Sequence, residues 1–128
     1  MEQFNNKVVL ITGGAAGIGL AAARQFADAG AHVVITGRRE APLLAPTQQH
    51  PHITHLVADA ANPEDASRTV ATVIERHGKL DVLINNAGAG ALLSLADDVA
   101  RAIFALAGAM GTWVTGQILT VDGGLNIT

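Results

Sequence analysis

Five short apolar runs along the chain have the length and composition of buried β-strands. Each run holds four to seven residues and is rich in Val, Ile or Leu. Continuous apolar runs of this kind are typical of strands whose two faces are both covered. The predicted strands are residues 7–12, 32–36, 53–58, 81–84 and 116–122.

Longer segments with apolar residues on one helical face separate these runs. Residues 18–29 are rich in alanine and stop at Gly30, and residues 62–77 open with Asn-Pro and stop at Gly78. An Asn cap, a proline in the first turn and a terminal glycine are typical of helix ends. A further helix is predicted over 94–106, where apolar residues recur at helical spacing.

The segment 40–51 carries three prolines, so any helix there is expected to be short and broken. The elements therefore follow the order βαβ(α)βαβαβ. Alternation of strands and helices predicts an α/β fold, in which one doubly wound parallel sheet of about five strands carries helices on both faces. Residues 1–128 are expected to form this single domain.

Composition limits the classes of function. The chain has 128 residues, of which 49% are hydrophobic, so a domain with a real core can form. Its 8 basic and 11 acidic residues give a net charge of −3, and the basic residues are scattered except for Arg38 and Arg39, which argues against a nucleic-acid surface. The absence of cysteine excludes disulfides and thiol nucleophiles and fits a cytoplasmic location.

No membrane-spanning or targeting segment is expected. The first seven residues are polar and do not resemble a signal peptide. The longest uncharged stretch, residues 102–121, has the length of a membrane span. It contains three glycines, however, and its pattern changes from helical to strand-like midway.

The strongest chemical signal is the glycine-rich segment 12–19, between the first predicted strand and the first predicted helix. Gly13 permits a tight turn, Gly17 lets a phosphate approach the backbone, and Gly19 lets the helix pack close to the strand. N–H groups at the helix start and the helix dipole favour an anion. The residues predicted to bind it are Gly13, Ala15, Ala16, Gly17, Ile18 and Gly19. The alternative is a turn that serves packing alone.

Four motifs in this order resemble the short-chain dehydrogenase/reductase family. The loop has the family's T-G-x-x-x-G-x-G spacing, residues 57–59 resemble its adenine-contacting segment, residues 85–88 are its N-N-A-G motif, and residues 116–124 resemble its last strand. The resemblance implies a Rossmann-like sheet of order 3-2-1-4, with the last strand beside the fourth. It also implies cofactor contacts from Asp59, Ala60, Asn86, Ala87 and Gly88.

The end of the second strand favours NADP(H) over NAD(H). NAD-binding domains usually place a carboxylate there for the ribose 2′-hydroxyl, whereas this chain has Gly37 followed by Arg38 and Arg39. A guanidinium pairs with a 2′-phosphate in a fork geometry. In the alternative interpretation the two arginines are a solvated loop pair.

The resemblance stops at the catalytic residues. The family uses a Ser, an Asn and a Tyr-x-x-x-Lys pair, but this chain has no tyrosine, and its only lysines are Lys7 and Lys79. The sequence passes from N-N-A-G into a segment like the family's final helix and strand, with a deletion junction expected within 89–97. No catalytic residue is assigned. Ser94 and Asp97 have no evident activating partner, and Ser94 is expected to cap a helix.

His50, His52 and His55 form a cluster of imidazoles, which are ligands for zinc and nickel. Their position in a proline-interrupted segment without a nearby acid favours an exposed loop and no metal site. Trp113 is expected to pack the loop before the last strand.

These features favour an NADP(H)-binding module of dehydrogenase ancestry that is catalytically silent, or nearly so, as this chain. The expected ligand is a dinucleotide or an adenine nucleotide. Three alternatives stay open: a reductase that takes its acid/base group from a partner chain, a non-enzymatic assembly module, and a deletion product. The family often builds a dimer interface from its last helix and strand, so a homodimer or higher oligomer is expected.

Overall fold

The computed structural model describes residues 4–15, 17–60, 62–86 and 117–120, which form five parallel strands and three helices. The strands are β1 (Val8–Thr12), β2 (His32–Gly37), β3 (Ile53–Val57), β4 (Val82–Asn85) and β5 (Gln117–Thr120). The helices are α1 (Gly17–Asp28), α2 (Ala41–Gln49) and α3 (Pro63–His77). The sheet order is β3-β2-β1-β4-β5. The predicted α/β fold with alternating elements is confirmed.

The central strand β1 lies between β2 and β4. All of its residues are buried, which explains its uninterrupted apolar run, since both of its faces are covered. The predicted place of the last strand beside the fourth is also confirmed. β5 pairs with β4 in parallel register, from the pair Val82/Gln117 to the pair Asn85/Thr120.

Helices cover both faces of the sheet. Successive residues of β1 point to opposite sides, so Val8 and Leu10 pack with α3 whereas Val9 and Ile11 pack with α1 and α2. The core on the α3 side also contains Val34, Ala66, Val70, Val73, Leu80 and Leu83. The core on the α1 side also contains Ala23, Ala27, Ala31, Val33, Ile35, Leu43, Ile53 and Ile84.

Helix α3 begins and ends as its sequence predicts. The side chain of Asn62 accepts hydrogen bonds from the N–H groups of Glu64 (2.9 Å) and Asp65 (3.1 Å), an arrangement that stabilises a helix by about 1 kcal/mol. Gly78 ends the helix with φ 80°, and its N–H donates to the carbonyl of Ile74. The two caps fix where α3 follows β3 and where the chain turns into β4.

Helix α2 corrects the expectation of a broken helix in 40–51, because Ala41–Gln49 is continuous. Pro42 lies in the first turn, where no backbone N–H is needed. Pro46 lies inside the helix, and the carbonyl that it leaves without a donor belongs to Pro42, which is exposed to water. Leu43 and Pro46 are both buried, so packing against the sheet offsets the missing hydrogen bond.

The predicted helix 94–106, the junction within 89–97 and Trp113 lie outside the described residues. Among the residues that the structure does describe, no helix is long and apolar enough to cross a membrane.

Candidate functional site

The segments that carry the predicted site residues meet at one edge of the sheet. All strands run in one direction, so the carboxyl ends of β3, β2, β1 and β4 stand side by side. In open parallel sheets, ligands bind at this edge. The residues that follow these four strand ends include Asp59, Ala60, Arg38, Arg39, Gly13 and Asn86.

The loop between β1 and α1 is held against β2. The N–H groups of Gly13 and Gly14 both donate to the carbonyl oxygen of Thr36, at 3.0 and 3.2 Å. Gly13 has φ 70°, and Gly17, the first residue of α1, has φ 60°. L side chains rarely adopt such values. The loop thus turns sharply and brings the first-turn N–H groups of α1 to the sheet edge, an arrangement that in general favours an anion.

Gly14 and Gly19 are required by close packing. A Cβ on Gly19 would lie 2.5 Å from the carbonyl oxygen of Gly13 and 2.6 Å from Nδ2 of Asn86. A Cβ on Gly14 would lie 2.5 Å from Cγ2 of Ile35. The geometry agrees with the packing role predicted for Gly19. The geometry also shows a packing role for Gly14, which is not predicted from the sequence. In the sequence, Gly14 is marked only as the second glycine of the pair after β1.

Gly17 has open space beside it. Apart from its own neighbours in the chain and helix, no described atom lies within 4 Å of a Cβ built there. Its φ of 60° accounts for the glycine, and the open space leaves room for an anion at the backbone. Phosphate binding by this residue and by Ala15 stays a prediction. Ala16 lies outside the described residues, and Ile18 is described only as part of the α1 backbone.

Asn86 ties the end of β4 to the glycine loop. Its N–H donates to Thr12 Oγ1 (3.0 Å), and its Nδ2 donates to the carbonyl of Gly13 (3.1 Å). Asn86 is buried, and its Oδ1 has no hydrogen-bond partner among the described residues. Asn86 and Thr12 therefore hold the loop in place, a role that the sequence does not predict. Ala87 and Gly88 lie outside the described residues.

Arg38 and Arg39 follow β2 in a bend, and both are exposed. Within the described part of the chain, neither guanidinium forms an ion pair or a hydrogen bond, whereas Arg68 pairs with Asp65 at 3.0 Å. Two unpaired cations thus stand at the end of the strand next to the glycine loop. This is the edge at which an anionic ligand is expected.

Glu40, the first acidic residue after β2, pairs with His55 on β3. Its Oε2 lies 3.3 Å from Nε2 of His55. A carboxylate only accepts hydrogen bonds, so Nε2 carries the hydrogen and donates. Residues 29–58 contain no other acid. The end of β2 therefore lacks the available carboxylate that an NAD-type site places there.

Asp59 and Ala60 follow β3, and Ala60 is buried. The N–H of Asp59 donates to Oδ2 of Asp65 at 2.8 Å. This hydrogen bond lowers the pKa of the Asp65 carboxyl from its usual 3.8, against the opposing effect of burial, and Arg68 lowers it further. Asp65 thus fixes the turn that carries the predicted adenine contact. From the sequence alone, Asp65 is predicted only as an acidic residue in the first turn of α3.

The two lysines lie at the opposite edge of the sheet. Lys7 precedes β1 and Lys79 precedes β4, so both stand at amino ends of strands. Nζ of Lys79 lies 3.2 Å from Oδ2 of Asp81, which also accepts from the N–H of Val8. Because these are the only lysines in the chain, none stands at the ligand edge.

The histidines of 50–55 correct the expectation of an exposed loop without a nearby acid. His55 lies on β3 beside Glu40, and Nε2 of His50 lies 3.0 Å from Oδ1 of Asp28. The two side chains are only 22% (His50) and 19% (His55) exposed. Both acids are distant in sequence and become neighbours only in the fold. No group of three or more His, Asp or Glu side chains within the described residues could hold a metal ion.

Comparisons with known proteins agree with the motifs. A family model described as short chain dehydrogenase matches residues 7–120. The chain is 41% identical over 92 residues to glucose 1-dehydrogenase of Gluconobacter oxydans (strain 621H), which covers 68% of this chain and 35% of that protein. It is 34% identical over 126 residues to oxidoreductase asL5 of Sarocladium schorii, covering 98% and 49%. The chain thus spans less than half the length of these curated relatives.

The fold is also similar to that of solved structures. One is a short chain dehydrogenase from Burkholderia cenocepacia J2315, crystallised in complex with NADP, which matches with a TM-score of 0.75 at 32% identity. The match covers 92% of this chain and 56% of that one. Almost the whole chain therefore corresponds to about half of a longer protein.

Proposed function

The chain belongs to the short-chain dehydrogenase family, and we propose that it binds NADP(H) in preference to NAD(H) and is catalytically silent on its own. Family membership implies a nicotinamide dinucleotide as the cofactor. In this proposal the cofactor lies along the carboxyl edge of the sheet. Its adenine contacts Asp59 and Ala60, its 2′-phosphate contacts Arg38 and Arg39, and its pyrophosphate contacts the glycine loop and the start of α1. Asn86, Ala87 and Gly88 contact it at the end of β4.

The shape and polarity of the glycine loop support the pyrophosphate site. Among the described residues, no other atom lies within 4 Å of a Cβ built at Gly17, where the helix starts, and the N–H groups of a first helical turn have no partners within the helix. A diphosphate supplies acceptor oxygens and the negative charge that the helix dipole favours. The residues present therefore fit the phosphate groups of a dinucleotide.

The observation that carries the preference for NADP(H) is the pair of unpaired guanidiniums at the end of β2. Arg38 and Arg39 have no partner in the described part of the chain, and the carboxylate that follows them in the sequence, Glu40, pairs with His55. A 2′-phosphate would supply the missing anionic partner. One structural neighbour was crystallised with NADP, which is consistent with this preference.

The positions of the groups that could transfer a proton support the proposal that the chain is inactive on its own. Reduction of a carbonyl group by hydride needs a group near the oxygen that gives a proton, and oxidation of the corresponding alcohol needs one that takes it. The chain has no tyrosine, and both lysines lie at the amino edge, away from the proposed cofactor. The bound dinucleotide would supply hydride chemistry, but this chain offers no assigned residue for the proton.

We also propose a homo-oligomer in the cytoplasm. The outer strands of the described sheet are β3 and β5, and an outer strand presents backbone groups to which another chain can pair. The absence of cysteine fits a reducing compartment. Light scattering of the purified chain tests the assembly, and a monomer at all concentrations would contradict it.

Arg38→Ala tests the 2′-phosphate site. We expect the affinity for NADPH to fall about tenfold to a hundredfold, because a hydrogen bond to a charged group contributes about 1.5–3 kcal/mol. The affinity for NADH should not change. Calorimetric titration measures both. Arg76→Ala is the matched control, since Arg76 is exposed in the last turn of α3, at the opposite edge. Equal losses for NADPH and NADH in Arg38→Ala would overturn the assignment.

A further inference from the structure

A histidine–carboxylate pair stands beside the proposed 2′-phosphate site. Oε2 of Glu40 lies 3.3 Å from Nε2 of His55, and Oγ1 of Thr47 lies 3.0 Å from Nδ1 of the same ring. The single hydroxyl hydrogen of Thr47 points either to Nδ1, which accepts in a ring that donates from Nε2, or to the carbonyl oxygen of Leu43 at 3.0 Å. Both ring nitrogens therefore have a polar neighbour at hydrogen-bond distance, which favours one orientation of the imidazole.

The segment that carries the two arginines is anchored to the same elements. The N–H of Leu43 donates to the carbonyl of Glu40 at 2.8 Å, and the N–H of Ala58 donates to the carbonyl of Gly37 at 2.9 Å. The side chain of Leu43 packs on Gly37, where an added Cβ would come within 3.3 Å of it. The backbone of residues 37–40 is therefore held by α2 and β3. Whether the negative charge of Glu40 lies toward β3 or toward the proposed 2′-phosphate site then depends on the direction of the Glu40 side chain.

A carboxylate at this position affects the two dinucleotides in opposite ways. It repels the 2′-phosphate of NADP(H), because both groups are negative. It also offers the ribose 2′-hydroxyl of NAD(H) the acceptor that NAD-type sites use. A Glu40 side chain released from β3 would therefore weaken one ligand and strengthen the other.

We propose that His55 is a specificity-determining residue, which holds the Glu40 carboxylate toward β3 and so keeps it from opposing the 2′-phosphate of NADP(H). The inference rests on the proposed function, since it presupposes a preference for NADP(H). His55 acts through Glu40 and does not touch the cofactor, so it is a positioning residue. The exposures of the two side chains, 19% for His55 and 64% for Glu40, leave the carboxylate free to move once its partner is lost.

His55→Leu tests the role of the ring. The substitution removes both hydrogen bonds of the ring and keeps a side chain of similar size. We expect the ratio of the NADH to the NADPH dissociation constant to fall about threefold to tenfold, a moderate change because the pair is partly exposed. Calorimetric titration of the full chain with each dinucleotide measures this ratio.

A second substitution separates positioning from a structural effect. The double variant His55→Leu/Glu40→Gln has no carboxylate to release, so we expect the ratio to return to about the wild-type value. If His55 only supported the local structure, Glu40→Gln would not restore the ratio. Failure of this rescue overturns the inference.

Two further variants complete the test. His50→Leu is the matched control, because His50 pairs with Asp28 at 3.0 Å at the amino edge and is similarly buried, and it should leave the ratio unchanged. Glu40→Asp shortens the acid so that it no longer reaches His55, and it should lower the ratio even where His55→Leu does not fold. An unchanged ratio in Glu40→Asp overturns the inference. Equal affinities of the unaltered chain for NADPH and NADH would overturn the proposed function instead.

Discussion

Four glycines of the segment 12–19, at the turn from β1 into α1, are required for two different physical reasons. Gly13 and Gly17 have φ values of 70° and 60°, which only glycine adopts readily. At Gly14 and Gly19, by contrast, a Cβ would collide with Ile35 or with the loop and Asn86. The first pair shapes the turn that is proposed to bind the pyrophosphate. The second pair lets α1 and β2 approach the turn closely enough to support it.

Gly19→Ala tests the packing role of Gly19, because close packing and helix propensity predict opposite signs for the change in the free energy of unfolding. In an unobstructed helix this change stabilises by about 1 kcal/mol. Here the new methyl group would lie 2.5 Å from a backbone oxygen, so we expect the free energy of unfolding to fall by about 1–3 kcal/mol. Urea unfolding followed by circular dichroism measures it. Gly17→Ala, where a Cβ meets no described atom, is the control for the cost of a left-handed φ alone. A stabilised Gly19→Ala chain would contradict the packing argument.

Residues of the site could be predicted from sequence where a local motif marks them. The glycine spacing and the two arginines after β2 are local signals, and the structure places them at one edge. The pairing of Glu40 with His55 and the buried contacts of Asn86 are not local. They depend on which strands are neighbours, information that a pattern along the chain does not contain.

At the amino edge of the sheet, three elements contribute histidines to a stack. The ring of His32, the first residue of β2, lies 5.2 Å from that of His52, before β3, and 5.6 Å from that of His77, at the end of α3. Nε2 of His77 is buried without a hydrogen-bond partner in the described part of the chain. Burial lowers the pKa of His77, and the neighbouring charges of His32 and Arg76 lower it further. The stack is therefore most stable with His77 neutral.

We expect the free energy of unfolding to fall as the pH drops below about 6.5. The unfolded chain, with an ordinary histidine pKa near 6.5, binds a proton before the folded His77 does, so protons favour unfolding. Urea unfolding at about pH 7.5 and 5.5 measures the decline. His77→Gln should lessen it, and an equal decline in both chains would contradict the expectation. The pKa of Asp65 is lowered from 3.8, so protonation of this carboxylate destabilises the fold only at pH values below 3.8, outside the range of this experiment.

The elements of the fold were predictable where pattern and packing agree. Buried parallel strands are continuous apolar runs, and the Asn62 and Gly78 caps mark both ends of α3. Helix α2 was not predictable as a continuous helix, because the packing of Leu43 and Pro46 overrides the local effect of proline. The place of β5 beside β4 was implied by the family resemblance rather than by periodicity.

Across the whole molecule, the two edges of the sheet have different chemistry. The glycine loop, the unpaired arginines and Asn86 meet at the carboxyl edge, whereas both lysines and the histidine stack lie at the amino edge. The chain spans 35–49% of the two curated relatives described above and 56% of the NADP-bound structure. The family match covers residues 7–120, which include the four strands that carry the proposed dinucleotide contacts. We therefore propose a module that holds a dinucleotide, in which no proton donor for a substrate is assigned.

Parallel calorimetric titrations of the unaltered chain with NADPH and NADH test most directly whether it binds NADP(H) in preference to NAD(H). We expect saturable binding of NADPH and at least about tenfold weaker binding of NADH, because only NADPH carries the 2′-phosphate that Arg38 and Arg39 would bind. Binding of neither dinucleotide, or of both with equal affinity, would contradict it.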